Sequence, residues 1–447
     1  MKKLIAKTES ILLYLLPIVV FFSYYPVIRL GANETMNFEL SLPLIWLAIF
    51  GAISMARMPR ILAKYKIWKV IFVLAFPIFI IASVIWSQNQ LRGLLTAGIA
   101  WLITMSVINI INMKLDKNVL KQLLKLFLGA SVVTAVACII QCVLDVFGFG
   151  RDITLLCPGC TYLTLGFPHP NGFAIEPQFM GNLLIAPSII SLYLLYKNIS
   201  FKKVNKTMFG FLALSIFLIM SLYICFSRGA LYSFGIASVI MIVLLAINKK
   251  SAKSVLLVVP IVVGCLIGLL LQGVLSEISP TNENFTQGIQ RSIHQVSLGI
   301  IDIREKTTSD GQQSAFSGYI EESTDIRLNL NEIAINTWRN NNILIGVGIG
   351  SSGVSINQFD NRLAAKEIIQ NEYITILLEL GIIGVILLIV LFVMIFKLIR
   401  KSAIVVSILV AFMISLCFFS GLPNVLHIYL LIPILYRMSQ KNARVLE

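Results

Sequence analysis

Charge is what this sequence has least of. Only 13% of its 447 residues are Asp, Glu, Lys or Arg, about half of the roughly 25% that a soluble domain carries. Against them stand 57% apolar residues, more than one core absorbs, since a single core stops growing near ~300 residues. A soluble enzyme is excluded, and lipid is the solvent that the excess must face. Histidine is scarce as well: His169, His294 and His427 lie far apart and no Asp-x-Asp pair occurs, so a dedicated metal site has no support. A Gly-Lys-Ser or Gly-Lys-Thr phosphate loop is missing, which argues against an ATP-driven pump made from this chain alone. No internal repeat, low-complexity tract or Ser/Gly linker sets off a detachable soluble domain. Acidic residues number 21 against 36 Lys and Arg, a formal charge of +15. In a membrane protein such an excess records orientation rather than nucleic-acid binding.

What the sequence has is apolar runs of about 20 residues. They fall near 11–30, 39–55, 68–86, 91–112, 120–147, 172–196, 208–226, 229–247, 254–275, 371–396, 402–420 and 424–436. The expected fold is therefore an all-α integral membrane protein with about twelve spans and both termini on one side. With that side cytoplasmic, 25 of the 36 Lys and Arg lie inside and 18 of the 21 Asp and Glu lie outside or at the outer edge, as the positive-inside rule requires. The first span follows Met-Lys-Lys but lacks a small-x-small cleavage site, so it reads as an uncleaved anchor. Three regions follow: a bundle over 1–275, a large extracytoplasmic loop over 276–366 and C-terminal helices over 367–447. Within the loop, Ser323-Thr324-Asp325 before Ile326, Leu330, Ile333 and Trp338 predicts a capped amphipathic helix. A second outer loop, 148–171, is rich in Gly and Pro.

Of seven cysteines, Cys138, Cys142, Cys225, Cys265 and Cys417 fall in spans and read as small packing residues. Cys157-Pro-Gly-Cys160 lies in the outer loop. An oxidising compartment permits a disulfide there, free thiols are the alternative, and the spacing is also a redox spacing, although no thioredoxin-like strand and helix pattern surrounds it.

An ionisable residue in a span costs about 2.5 to 3.5 kcal/mol on insertion scales and marks a site by default. Glu176 opens a span ahead of Pro177; it reads either as a helix-capping carboxylate or as a base or ligand at the outer surface. Gln178, Gly181 and Asn182 follow at spacings that place a polar, close-packing stripe on one face. Ser227-Arg228-Gly229-Ala230 joins two apolar runs with scarcely a loop. Arg228 is either an interfacial anchor or the partner of an anion, since a guanidinium does not shed its charge. The tenth span opens Gln370-Asn371-Glu372-Tyr373, and Glu372, Thr375 and Glu379 share a face, with Glu379, about 10 Å below the helix start, expected to pair with a buried cation or a helix end. Upstream, Trp338-Arg339 leads into Gly346-Val-Gly-Ile-Gly350, either a flexible turn or a run of amides for an anionic group.

Taken in order, these outer-edge elements resemble the family of bacterial O-antigen polymerases and O-antigen ligases. Three motifs carry the resemblance: Phe226-Ser-Arg-Gly-Ala230, Trp338-Arg339 through Gly350, and Asn371 followed by Gly381 and Gly384. Glu176-Pro177 after an Asn-Gly loop looks like the polymerase branch, with Gln178 where a serine is usual. Ligases of the family carry a histidine immediately before the asparagine of the third motif, and here Gln370 stands there, a residue that cannot act as a base.

The resemblance implies a GT-C-like helical bundle in the cytoplasmic (inner) membrane, both termini cytoplasmic. Its substrate is an oligosaccharide on undecaprenyl diphosphate, transferred onto an incoming lipid-linked unit without metal or cofactor. A membrane lipid environment and a chain-length regulator protein are the implied partners, with no nucleic acid. Such chemistry needs cations for leaving-group charge and a carboxylate for the acceptor proton. Glu176 is the expected base, with His169 second. Arg228, Arg339 and Arg327 are expected on the diphosphate with Arg92 and Arg151 behind them, and Gln370, Asn371 and Tyr373 on the sugar. The rivals are an O-antigen ligase acting on lipid A core and a lipid-linked glycan flippase, against which the outer, off-centre loop argues.

Overall fold

The computed structural model describes residues 2–34, 36–149, 168–200, 205–249, 252–279, 284–297, 315–365, 367–419 and 426–440. Arg151, Cys157 and Cys160 lie outside them. Helices dominate. The chain opens with α1 (Lys2–Val19) and a hairpin, β1 (Val27–Ala32) with β2 (Asn37–Ser41). It continues through α2 (Leu42–Leu62), α3 (Ile67–Ala82), α4 (Gln90–Asn112), α5 (Lys117–Val146), α6 (Pro177–Asn198), α7 (Lys206–Ile224) and α8 (Arg228–Lys249). Then come α9 (Val258–Glu277), α10 (Phe285–Val296), α11 (Ala315–Arg339), α12 (Ser352–Phe359), α13 (Glu372–Ile399), α14 (Ala403–Ser415) and α15 (Leu426–Ser439).

Among the described residues nine helices are long and apolar enough to cross a membrane, and α14 and α15 are shorter apolar helices. The chain is a multi-pass, all-α membrane protein. Two local expectations are corrected. The first span is expected at 11–30, but α1 stops at Val19 and the chain turns into the hairpin, with Val27 opposite Ser41 and Arg29 opposite Glu39. Asn33, Glu34 and Asn37 belong at its tip because lipid has no partners for them. Tyr24 Oη donates to Glu39 Oε2 at 2.6 Å; burial, then this carboxylate, pushes the phenol well above its usual range. The second correction concerns the helix expected to be capped at Ser323–Asp325. It begins at Ala315, so those residues lie inside it, and Ile326, assigned to its apolar face, is 52% exposed. Leu330, Ile333 and Ala334 form the buried face. Cys138, Cys142 and Cys225 are buried thiols, whereas Cys417 is exposed rather than packed.

The described residues divide into two compact units, one from 1–126, 326–405 and 416–447, the other from 127–325 and 406–415. In the first, α1, α2 and α4 are pinned by a buried polar knot. Glu9 pairs with Arg57 at 2.5 Å and accepts Asn109 Nδ2 at 2.8 Å, while that same Nδ2 reaches Ser54 Oγ at 3.0 Å. In the second, α6 is buried along nearly its whole length, its polar residues Asn182, Ser188 and Ser191 included. Its Ser188 and Ser191 hydroxyls donate to the carbonyls of Leu184 and Ser188, so the buried helix carries no unpaired hydroxyl at either position.

Candidate functional site

In the second unit three expected site residues converge. Glu176 is the N-cap of α6, extended at φ −142°, with Pro177 as first helical residue; its side chain does not cap the helix. Instead Glu176 Oε2 accepts Gln178 Nε2 at 2.7 Å, which leaves the carboxylate half-buried above the first turn. One turn down, Gly181 lies against the segment that starts α8. A Cβ there would stand 2.9 Å from both Ser227 Cβ and Ala230 Cβ, so the two backbones approach this closely only because residue 181 has no side chain. Arg228, between those contacts, opens α8 and is half-buried. The sharp turn into α8 is made by Phe226, a non-glycine residue at φ 48°, an uncommon conformation costing of order 1–3 kcal/mol. The His169 ring packs edge-on to Phe226, centroids 6.4 Å apart. Beneath, the Gln141 carboxamide clamps Gly172, accepting its amide at 2.8 Å and donating to its carbonyl at 3.1 Å. Asn171 Nδ2 donates to Ala174 O at 2.6 Å. The segment bearing His169 and Glu176 is thus fixed by hydrogen bonds onto the end of α5 and by packing contacts onto the turn that starts α8.

In the first unit the site residues are organised around a break in α13. Gly381 sits at φ 63°, and the segment upstream fills the gap. Val347 and Gly348 donate to the carbonyls of Leu378 and Glu379 at 3.0 and 2.9 Å, while Ile382 and Ile383 donate to the carbonyls of Ile343 and Leu344, both at 3.1 Å. Those four backbone groups on α13 are the ones that two i→i−4 bonds would have joined. The inserted segment therefore replaces the lost bonds, which buried backbone demands. Gly346, Gly348 and Gly350 all have positive φ. The Gly-rich run is not a loose turn: its amides at 347 and 348 are spent on α13, and its Gly350 amide meets an anionic group, the Glu379 carboxylate.

Glu379 completes this core. Its carboxylate accepts the Ser352 amide at 3.1 Å and the Gly350 amide, and the Arg92 charge attracts it. The other side of the segment is held by the start of α4 and the turn before it. Ser87 Oγ donates to Ile349 O at 2.9 Å and meets Ser351 Oγ at 2.8 Å, and Ile349 N reaches Ser83 Oγ at 3.3 Å. Arg92 is half-buried in the first turn of α4, its amide capped by Asn89 Oδ1 at 3.3 Å. Tyr373 packs with Ile80, Ala97, Ile349 and Leu380, on the same core that Arg92 borders. Asn371 caps α13, its Oδ1 accepting the amides of Tyr373 and Ile374 at 3.1 and 3.2 Å, so that oxygen is engaged with the chain itself. Gln370, just before it, has a buried Oε1 with no hydrogen-bond partner among the described residues. Arg327 is half-buried on α11, and Arg339 is exposed in its last turn.

Residues 213–389 match the family model described as O-antigen ligase. Over this region the chain is similar to the O-antigen ligase family of membrane proteins. No curated protein matches the chain. The matched region runs from α7 to the middle of α13, so it contains Arg228, Arg327, Arg339, Gln370, Asn371, Tyr373 and the broken helix. Glu176, His169 and Arg92 lie upstream of it. Sequence reasoning missed what joins these parts of the family region. Glu379, expected to pair with a buried cation or a helix end, does so with the Ser352 amide at the start of α12, the Gly350 amide and the Arg92 charge; what no local signal gives is that the two amides lie 27 and 29 residues earlier. The seryl cluster of Ser83, Ser87 and Ser351 carries no motif at all.

Proposed function

We propose that this chain is a surface-polysaccharide polymerase, acting at the outer face of the cytoplasmic membrane with both termini cytoplasmic. The donor is a glycan on undecaprenyl diphosphate, and the acceptor is the terminal sugar of an incoming lipid-linked repeat. The acceptor hydroxyl oxygen bonds to the donor's anomeric carbon, the bond from that carbon to the diphosphate breaks, and the diphosphate leaves on its lipid. Glu176 takes the hydroxyl proton; Arg228 holds the charge that grows on the departing diphosphate, with Arg92, Arg151, Arg327 and Arg339 as further cations. Tyr373 and Gln370 contact sugar, and Asn371 sets the geometry of that helix start.

The observation that carries this reading is the convergence of Glu176, His169 and Arg228 through the contact of Gly181 with Ser227 and Ala230. A carboxylate and a guanidinium held at neighbouring helix starts are the acid–base and electrostatic halves of glycosyl transfer from a diphosphate. Gln370 ahead of Asn371, in place of histidine, favours polymerase over ligase. The test is reconstitution of the full chain in lipid vesicles with undecaprenyl-diphosphate-linked repeat units. A polymerase extends them to a ladder of lipid-linked chains. Transfer only when lipid A core is added would assign a ligase, and vectorial movement of unextended units would assign a flippase.

A further inference from the structure

Gly172 is the point at which α5, the segment from Pro168 to Glu176 and the start of α6 meet. Its φ is 54°, and a Cβ there would stand 2.6 Å from Met180 Sδ on α6 and 3.3 Å from Cys138 Sγ on α5. Gln141 lies three residues on from Cys138, on the same face of α5. Its carboxamide engages both polar backbone groups of Gly172: Oε1 accepts the amide at 2.8 Å, and Nε2 donates to the carbonyl at 3.1 Å. Gln141 is 4% exposed and Gly172 is buried.

The chemistry of this pairing selects the residue. A carboxamide is the uncharged side-chain group that carries a donor and an acceptor side by side, so it meets the N–H and C=O of one residue without bringing a charge into a span. With little water nearby each of the two bonds is electrostatically stronger, and an unpaired Gly172 group would be costly.

The consequence reaches Glu176, four residues on. Between them the chain closes in a tight turn: Ala174 N donates to Asn171 O at 2.9 Å, and Asn171 Nδ2 donates to Ala174 O at 2.6 Å. Pro177 then fixes the backbone as α6 begins. Two contacts therefore locate the carboxylate. Gly181 sets how closely α6 approaches Ser227 and Ala230, and Gln141 sets where the residues ahead of α6 stand on α5.

We propose that Gln141 is a positioning residue for glycosyl transfer: without touching substrate, it holds Glu176 where the proton of the acceptor hydroxyl is taken. The role of Glu176 rests on the polymerase reading; the fixing of its segment by Gln141 does not.

The test is a double-variant cycle on the full chain in lipid vesicles, with undecaprenyl-diphosphate-linked repeat units as substrate. Gln141→Leu is expected to lower kcat about 100-fold, the order set by ~1 Å of misplacement, with KM within about twofold of wild type. In the Glu176→Gln background the same substitution is expected to slow extension by no more than about threefold, because a base already removed cannot be misplaced. A residue serving only the fold would lower the active fraction equally in both backgrounds. Losses that multiply therefore overturn the proposal, as does a wild-type kcat for Gln141→Leu. Gly172→Ala displaces the same segment through Met180 while leaving Gln141 in place; it is expected to lose kcat as Gln141→Leu does, and a wild-type kcat overturns the proposal too.

Hydrogen exchange supplies a readout independent of turnover. Amides of residues 171–176 are expected to exchange at least ~10-fold faster in Gln141→Leu, with those of α9 unchanged; unchanged exchange at 171–176 overturns the positioning role. If exchange quickens in α9 as well, the variant is unfolding and Gly172→Ala takes its place in the cycle. A wild-type protein that extends no chain, combined with faster exchange at 171–176 in Gln141→Leu, would keep the clamp and refute the polymerase reading alone.

Discussion

The amide of Gly348 donates to the carbonyl of Glu379 at 2.9 Å, so the oxygen that would close a turn of α13 is instead held by a segment 31 residues upstream. The partner that an unbroken helix would have supplied, the Ile383 amide, bonds to Leu344. A helix is thereby opened in a lipid-facing protein without leaving its backbone unpaired.

Gly381 is the residue on which that opening depends. Its φ of 63° brings it within contact of the Leu344 carbonyl, and a Cβ would stand 2.6 Å from Ile345 N. Gly381→Val is expected to cost at least ~1–2 kcal/mol from the left-handed backbone alone, with the clash added. Thermal melting in detergent reads this as a lowered midpoint. Gly210→Ala is the control: nothing lies within 4 Å of the added Cβ, and the midpoint stays or rises.

Gly181 makes a separate prediction about activity rather than stability. Gly181→Leu forces α6 away from Ser227 and Ala230, shifting Glu176 relative to Arg228. Chain extension by the reconstituted protein should fall at least 100-fold, the order expected for ~1 Å of misplacement. Gly98→Ala, with open space around it, should extend chains as wild type does.

The knot of Glu9, Arg57 and Asn109 includes none of the residues proposed for the chemistry. Glu9→Ala leaves a buried Asn109 amide with one acceptor fewer, a loss of about 1–3 kcal/mol, measured as a lowered melting midpoint. Asn109→Ala should cost a similar amount, and the double variant less than their sum, since both remove the same hydrogen bond. Additive losses would show that the knot does not act as a unit.

Much of the bundle was legible because lipid imposes one rule, long apolar runs without charge, and the runs at 68–86, 91–112 and 208–226 became α3 with its following turn, α4 and α7. The first run misled because composition does not reveal where a helix stops: Val27, Ile28 and Leu30 are as apolar as a span, yet they belong to a hairpin. At the candidate site, the short Ser227–Ala230 link and the Glu176-Pro177 pair could be read locally, since both are set by neighbours in sequence. The stripe of Gln178, Gly181 and Asn182 likewise announced close packing, and Gly181 provides it. Glu379 could not be read so: its face on α13 follows from periodicity, but its partners, Gly350 and Ser352, are brought there by long-range pairing.

The most direct test of the central claim is the rate of chain extension on undecaprenyl-diphosphate-linked repeats by reconstituted Glu176→Gln and Arg228→Ala. Removing a general base or a charge-holding cation costs 10²–10⁴-fold in analogous reactions, so both variants should remain folded in vesicles and lose at least 100-fold in kcat. Extension at the wild-type rate by either variant contradicts the account.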